Sequence, residues 1–332
     1  LLAGREGFGR SRHLSRTETL ERIPTLEPDR LRGGTMYFDG QFDDARLAVH
    51  MAMTMSEQGG TLLNYARVAG FTKSNGILDG AVFHDLEHGT VHTVHARAII
   101  NATGVFTDSM RVLDERDAEP MVQASQGVHL VLDRTFLPGD AAIMVPHTDD
   151  GRVLFAIPWH DHAVIGTTDT PVEQALLEPI PLEDEIDFLL SHSRRYLTKD
   201  PEVSDVRSCF AGLRPLVRAG GASSTAALSR DHTIVISQSG LITITGGKWT
   251  TYRKMGEDVV DQAMTLAGLE ERPSVTRTLK LHGWQESTTL PSYQASYGSD
   301  GEALQQLIAS LPEGATPLHA DLPYTQGEVV WS

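Results

Sequence analysis

Four side chains stand in contexts that could do chemistry: His129, Arg214, Arg230 and Lys248. Lys248 follows a glycine pair in Leu241-Ile242-Thr243-Ile244-Thr245-Gly246-Gly247-Lys248-Trp249-Thr250-Thr251-Tyr252-Arg253, an apolar β-branched run that turns into a helix. Glycines there let a ligand approach the main chain closely, and the helix offers unpaired N–H groups and a positive dipole end to an anion or a flavin ring. Standing alone, this would be a structural turn with a solvated lysine. Arg214, set before Pro215, and Arg230, beside Asp231, suit bidentate phosphate contacts, which a lysine makes less specifically. The competing readings are a salt-bridged surface arginine at 214 and an Arg230 neutralised by Asp231.

His129 lies in the alternating run Val128-His129-Leu130-Val131-Leu132. A lone strand histidine is more often structural, but its titration range also suits taking or relaying an alcohol proton. Lys248 is the rival base if burial lowers its pKa, or else a positive partner for cofactor and substrate oxygens. The sequence leaves that choice open. Were these groups to oxidise an alcohol bearing an anionic group, the reaction would need a clamp for the anion, a base for the hydroxyl proton and a hydride acceptor. No side chain accepts a hydride, so the acceptor must be a cofactor.

Other candidates read as structural. The Thr167-Thr168-Asp169 turn offers hydroxyls, with a plain polar turn as the alternative. His84, His88, His92 and His95 suggest zinc, but residues 92 and 95 point to opposite faces of a strand and no cysteine is near, so no metal is expected. Asp108 and the run from Asp114 to Asp117 read as solvated charge, and the single Cys209 as a small buried residue.

The elements that must position these residues follow from spacing. Ser15 and Glu18 have capping-box spacing, predicting a helix over 15–22 that Pro24 stops. Asp43 and Asp44 open a second helix, with Leu47, Met51 and Met55 inward as core filling and Gly59-Gly60 at its end. A strand is predicted from Thr61 to Val68, then a meander over 77–101 with turns at Asp79-Gly80 and His88-Gly89. Residues 121–170 read as sheet, a helix starts behind Pro181, a strand runs from Val203 to Leu213, and Ala219 to Ala227 form a loop. The hairpin Thr233 to Thr245 feeds the glycine turn, and the following helix reaches about Leu266.

At 332 residues the chain is long enough for two domains. Apolar content of 40% and charged content of 22% are those of a folded soluble protein. A net charge of -16 argues against nucleic acid as a partner and against electrostatic capture by anionic membrane. One cysteine excludes an internal disulfide and fits a reducing compartment, and no run suits a membrane helix, so a cytoplasmic protein is expected, or one peripheral on the cytoplasmic membrane face. Beyond Leu281 there are six acidic residues and no Lys or Arg, the mark of a separate module. The ends, Leu1 and Val329-Val330-Trp331-Ser332, read as cut.

Four segments together, Ser125-Gln126-Gly127-Val128-His129, Gly166-Thr167-Thr168-Asp169, Gly212-Leu213-Arg214-Pro215-Leu216 and Gly246 to Arg253, resemble the FAD-dependent, quinone-linked glycerol-3-phosphate dehydrogenases. Asp43-Asp44-Ala45-Arg46-Leu47, Asn101-Ala102-Thr103-Gly104, Ile157-Pro158-Trp159, Ser229-Arg230-Asp231-His232 and Leu322-Pro323-Tyr324-Thr325 extend the likeness along nearly the whole chain. The resemblance implies an α/β (α+β) flavoprotein of the D-amino-acid-oxidase type with a β-sheet substrate domain and a partial helical C-terminal cap. It also implies that the first βαβ element with its G-x-G-x-x-G turn is missing, since Gly7-Phe8-Gly9 lacks the third glycine and a preceding strand.

On that reading residues 1–35 are a substrate-domain segment, 36–115 part of the FAD-binding domain, 116–229 the substrate domain, 230–270 the return of the FAD-binding domain and 271–332 the cap. FAD would meet Val68, Ala102, Thr103, Gly104, Gly246, Gly247, Lys248 and Thr250, with sn-glycerol 3-phosphate between His129, Arg214, Arg230 and Lys248. Quinone is the implied electron acceptor, and a peripheral membrane contact and a homodimer are compatible with the family. The alternatives are a glycerol-phosphate oxidase using oxygen, a related amine or amino-acid oxidase, and a non-catalytic fragment.

Overall fold

A computed structural model describes residues 8–145, 153–218, 231–286, 294–320 and 322–332. The chain opens with β1 (Arg12–Ser15), α1 (Arg16–Arg22), β2 (Gly33–Met36) and α2 (Asp44–Glu57). Strands β3 (Ala66–Ser74), β4 (Ile77–Asp85), β5 (Val91–His95) and β6 (Ile99–Asn101) precede α3 (Thr107–Asp114). The middle holds β7 (Val122–Asp133), β8 (Ile143–Val145), β9 (Leu154–Trp159), β10 (His162–Gly166), β11 (Thr170–Pro171), α4 (Glu183–Ser193) and β12 (Val206–Val217). Last come β13 (His232–Ile236), β14 (Leu241–Gly246), α5 (Tyr252–Leu266), α6 (Gly301–Ser310) and α7 (Gln326–Trp331).

Local chemistry sets several of these boundaries. Ser15 caps α1 by accepting from Glu18 N, and Glu18 reaches back to Ser15 N at 2.8 Å, which is the capping box predicted from spacing. Asp43 caps α2, accepting from Arg46 N at 2.8 Å. The strand expected from Thr61 starts only at Ala66, and the first meander turn falls at Asn75-Gly76 rather than Asp79-Gly80, which lie inside β4. Both Asn75 (φ 53) and Gly76 (φ 83) are left-handed, as the two-residue hairpin turn matching strand twist requires.

The described residues group into two compact units, Leu1–Asp39 with Ala66–Pro273, and Gly40–Tyr65 with Ser274–Ser332. Helix α2, read from sequence as part of 36–115, thus groups with the C-terminal segment. Its only buried residue is Thr54; Met55 is exposed and Met51 half-buried, so the expected methionine core does not form there. Thr54 takes the inward position instead, donating to His50 O at 2.6 Å and accepting from His282 N at 2.8 Å. The core of this unit is Tyr297, Leu304 and Ile308.

In the first unit, β7 is the spine of a six-stranded sheet: β12 runs antiparallel along one side, and β10 and β11 share the other, with β9 and β8 beyond. Val128, Leu130 and Leu132 alternate along β7 into a core closed by Leu189 and Leu190 of α4. A three-stranded sheet, β13-β14-β6, packs Ile242 and Ile244 on Val259 and Ala263 of α5. Strands β3, β4 and β5 form a separate antiparallel sheet.

Two expectations about polar residues are overturned. Cys209 is exposed, because it lies in the uncovered stretch 207–210 of β12, away from Leu216 and Val217, the buried end of that strand. Asp114 is buried rather than solvated: Lys73 Nζ lies 2.8 Å from Oδ1, and Ser237 and Ser239 donate to it at 2.7 and 2.5 Å. Asp108 is half-exposed but likewise engaged, accepting from Met121 N and Val122 N. No helix among the described residues is long and apolar enough to cross a membrane.

Candidate active site

Alternation along β7 buries Val128 and Leu130 and turns Gly127 and His129 to the opposite face. The antiparallel register of β12 sets Phe210 opposite His129, Gly212 opposite Gly127 and Arg214 opposite Ser125. His129 and Arg214 are thereby brought to one face of one sheet, 85 residues apart in sequence. The imidazole of His129 stacks on Phe210, and on the other side it lies over Gly166 of β10, where a Cβ would collide with Cδ2.

Arg214 lies across Gly127. A Cβ at Gly127 would stand 2.6 Å from both the Arg214 Nη1 and the Thr167 hydroxyl, so only glycine fits beneath the guanidinium. The arginine donates to Thr168 O at 3.1 Å and to Thr167 Oγ1 at 2.9 Å, with Asp169 Oδ1 3.7 Å from Nη1. Ser125 in turn donates to Asp169. Three of the four sequence segments that suggested chemistry therefore converge through Arg214.

Beneath the turn lies Glu185 of α4, buried, accepting from Thr168 Oγ1 at 2.8 Å and from Gln126 Nε2 at 2.7 Å. Burial pushes its carboxyl up, but donation from Thr170, Gln126, Leu182 N and Thr168 outweighs this and the net shift is downward. The group is held as a carboxylate.

The fourth segment is at the end of β14. Strands β14 and β6 are parallel, with Thr243 beside Asn101, so the Asn101 to Gly104 turn and the Gly246 to Lys248 turn leave the sheet at the same carboxyl edge. Open sheets with parallel strands bind ligands at that edge. Gly246 (φ 76) and Gly247 (φ 73) are left-handed, and side chains there would strike Asp231 O and Met255 Sδ respectively. Asn101, buried, donates to Thr107 O at 3.1 Å and Thr243 Oγ1 at 3.3 Å and accepts from Thr103 Oγ1 at 2.7 Å. His232, beside Gly246 on β13, meets Asp258 of α5 at 3.0 Å and braces the turn.

This edge fits a flavin. Gly104 (φ 58) has open space where a side chain would be, and the buried hydroxyls Thr107 Oγ1 and Thr245 Oγ1, flanking the two turns, have no hydrogen-bond partner among the described residues. Thr250 and Lys248 are exposed on the second turn, and Ala102 and Thr103 lie on the first. Lys248 as a base required burial, which it does not have; as a positive partner for an anion it does not need it. Val68 sits on β3, in a different sheet from both turns. Arg230 lies outside the described residues.

Gly127, Gly166 and Asn101 stand within the sequence motifs, but the collisions the two glycines avoid and the hydrogen bonds Asn101 makes depend on strand pairing. Phe210 and Glu185 carry no signal in the sequence that marks them as part of the site. Of the four histidines considered for zinc, His88 gathers with Asp85 and Glu87, but Asp85 is occupied as a turn cap, accepting from Glu87 N and His88 N.

Residues 2–253 match the family described as FAD dependent oxidoreductase, and the chain belongs to it, with the D-amino-acid-oxidase type of fold and FAD as the family's cofactor. Within that family the likeness is to glycerol-3-phosphate dehydrogenases. The mitochondrial enzyme of Rattus norvegicus is 40% identical over 326 residues, covering 95% of this chain and 45% of the relative. The human enzyme is 39% identical over the same span. The crystal structure of glycerol-3-phosphate dehydrogenase from Bacillus halodurans complexed with FAD superposes with a TM-score of 0.79 at 30% identity, covering 91% of this chain and 63% of that one. The chain thus spans about half the length of the curated relatives it matches.

Proposed function

We propose that this chain carries the substrate face and part of the flavin site of an enzyme that oxidises sn-glycerol 3-phosphate to dihydroxyacetone phosphate. The observation that carries the reading is Arg214, a guanidinium laid over Gly127 by Thr167, Thr168 and Asp169, on the same sheet face as His129. An arginine pre-aimed in this way binds a phosphate dianion bidentately at little cost in side-chain freedom. The chain's relatives are glycerol-3-phosphate dehydrogenases, and they supply the substrate of this reading.

FAD, when bound at the Asn101 to Gly104 and Gly246 to Thr250 turns, supplies hydride acceptance. Arg214 holds the phosphate, with Arg230 and the exposed Lys248 adding positive charge. The proton of the C2 hydroxyl passes from the substrate oxygen to an imidazole nitrogen of His129, which Phe210 and Gly166 keep in one orientation. Quinone is proposed as the electron acceptor, in a protein that is cytoplasmic or meets the membrane peripherally and works as a homodimer.

The test is anaerobic bleaching of FAD-loaded protein by sn-glycerol 3-phosphate, compared with D-amino acids and sarcosine, with Arg214→Ala and Arg214→Lys alongside. Bleaching by the phosphate ester alone, lost in Arg214→Ala and weakened in Arg214→Lys, is expected. Bleaching only by amino acids or amines would overturn the substrate class.

A further inference from the structure

Glu185 is a buried carboxylate that the mechanism does not use. It stands in the first turn of α4, where a glutamate commonly closes a capping box, and Oε2 does accept from Leu182 N at 3.1 Å. A cap needs one oxygen and can stay in water. Here the residue is 4% exposed and both oxygens are engaged further: Oε2 accepts from Gln126 Nε2 at 2.7 Å, and Oε1 accepts from Thr168 Oγ1 at 2.8 Å. Burying a carboxylate is costly unless its hydrogen bonds are satisfied, so a site that needed only a cap would gain by leaving it exposed.

Thr168 is the hinge of the arrangement. Fully buried, its hydroxyl donates to Glu185 and accepts from Val128 N at 2.9 Å, the amide between Gly127 and His129. Its carbonyl accepts from Arg214 Nη1 at 3.1 Å. One residue thus links the helix carboxylate, the strand carrying His129 and the guanidinium. With its hydroxyl hydrogen committed to Glu185, the Thr168 oxygen is left to receive Val128 N, and the direction of the Thr168 carbonyl follows.

We propose that Glu185 is a positioning residue: acting through Thr168, it fixes the aim of Arg214 and so sets how tightly the site grips its anion. The idea rests on the reading of Arg214 as an anion clamp. Glu185 itself touches no substrate. A glutamine at 185 would keep its carbonyl for Gln126 and Leu182 N but turn an amide toward Thr168, whose oxygen already receives one donor. The bond direction there is reversed, so Glu185→Gln should be intermediate between the parent and Glu185→Leu.

The experiment measures binding of sn-glycerol 3-phosphate, inorganic phosphate and D-alanine by calorimetry, together with anaerobic flavin reduction of FAD-loaded protein. Parent, Glu185→Gln, Glu185→Leu, Thr168→Val, Thr168→Ser and the double variant Glu185→Leu/Thr168→Val are compared. The expected result is a loss of anion affinity of about tenfold in Glu185→Leu and Thr168→Val, with the limiting rate of flavin reduction in Glu185→Leu falling by much less than the affinity. The double variant should bind no worse than either single one, and Thr168→Ser should behave as the parent. Unchanged anion affinity in folded Glu185→Leu or Glu185→Gln, or strictly additive losses in the double variant, would overturn the proposal. The anion that the parent binds tests the substrate reading separately: a parent that binds only the amino acid sinks the phosphate assignment while the variants still report on Glu185, and a parent that binds neither sinks the clamp and with it this role.

Discussion

His129 lies flat against Phe210, ring centroids 5.2 Å apart and planes 11° from parallel. The strand register that makes the stack also puts Gly166 on the other side of the imidazole. The ring has a wall and a floor, and the floor exists only because residue 166 has no Cβ. Gly166→Ala should therefore displace the imidazole while leaving the sheet paired. Flavin reduction by sn-glycerol 3-phosphate should fall at least about a hundredfold, the scale of a lost general base. Phe210→Leu, which keeps an apolar wall, should cost far less. Equal losses in the two variants would show that ring placement is not what matters, and stopped-flow absorbance gives both rates.

Asn101 ties the turn at residues 101–104 to the sheet from within, through Thr107 O, Thr243 Oγ1 and Thr103 Oγ1. Asn101→Ala leaves buried partners unpaired, which should cost about 2 kcal/mol of stability by denaturant titration. FAD should also dissociate faster from the variant, because Ala102 to Gly104 lose their anchor. A stability loss with unchanged flavin release would place that turn away from the cofactor.

The parts of this structure legible in the sequence are those fixed by neighbours in the chain. The capping box of α1, the Asp43 cap of α2, the β13–β14 hairpin and the left-handed Gly246-Gly247 turn depend on a few adjacent residues, and their signals are local. The Asn75-Gly76 hairpin was equally local but lost to an Asp-Gly a few residues on. What could not be read were facts of register: that Gly127 lies under Arg214, that Gly166 lies under His129, or that Asp114 meets Lys73 across 41 residues. An aspartate in a charged run looks solvated until the strand that covers it is known. Motifs name candidate residues, and strand pairing decides which of them meet.

Asp114 provides a test of that buried network. Burial pushes its carboxyl up, yet Lys73 and the hydroxyls of Ser239 and Ser237 overcome this, and the net shift is downward from the ordinary carboxylate value. A depressed folded value means the contribution is complete above the unfolded value and is lost as pH falls through the folded one. Asp114→Asn leaves Lys73 without its countercharge and should cost about 2 kcal/mol, less than a fully buried pair because the lysine is one-third exposed. The difference in thermal midpoint between parent and Asp114→Asn should shrink as pH drops below about 4. A constant difference across that range would mean the charge is not what Asp114 supplies.

In the second unit His282 is held by two carboxylates, Nδ1 at 2.6 Å from Glu57 of α2 and Nε2 at 2.7 Å from Asp300 before α6. Only the imidazolium donates from both nitrogens. Asp300 and then Glu57 raise its pKa above 6.5, while burial pulls the other way. His50, whose ring meets His282 edge-on at 5.8 Å, is shifted down by burial and by Arg46. A raised folded value means the stabilisation is fully present below 6.5 and is lost as pH rises through the folded value. Amide exchange in residues 44–57 and 301–310, corrected for intrinsic rates, should therefore be slower at about pH 5.5 than at about pH 8.5. His282→Gln, with one donor group and one acceptor, can satisfy only one carboxylate, so the pH dependence should vanish in it. Persistence of the full pH effect in that variant would assign it to another group.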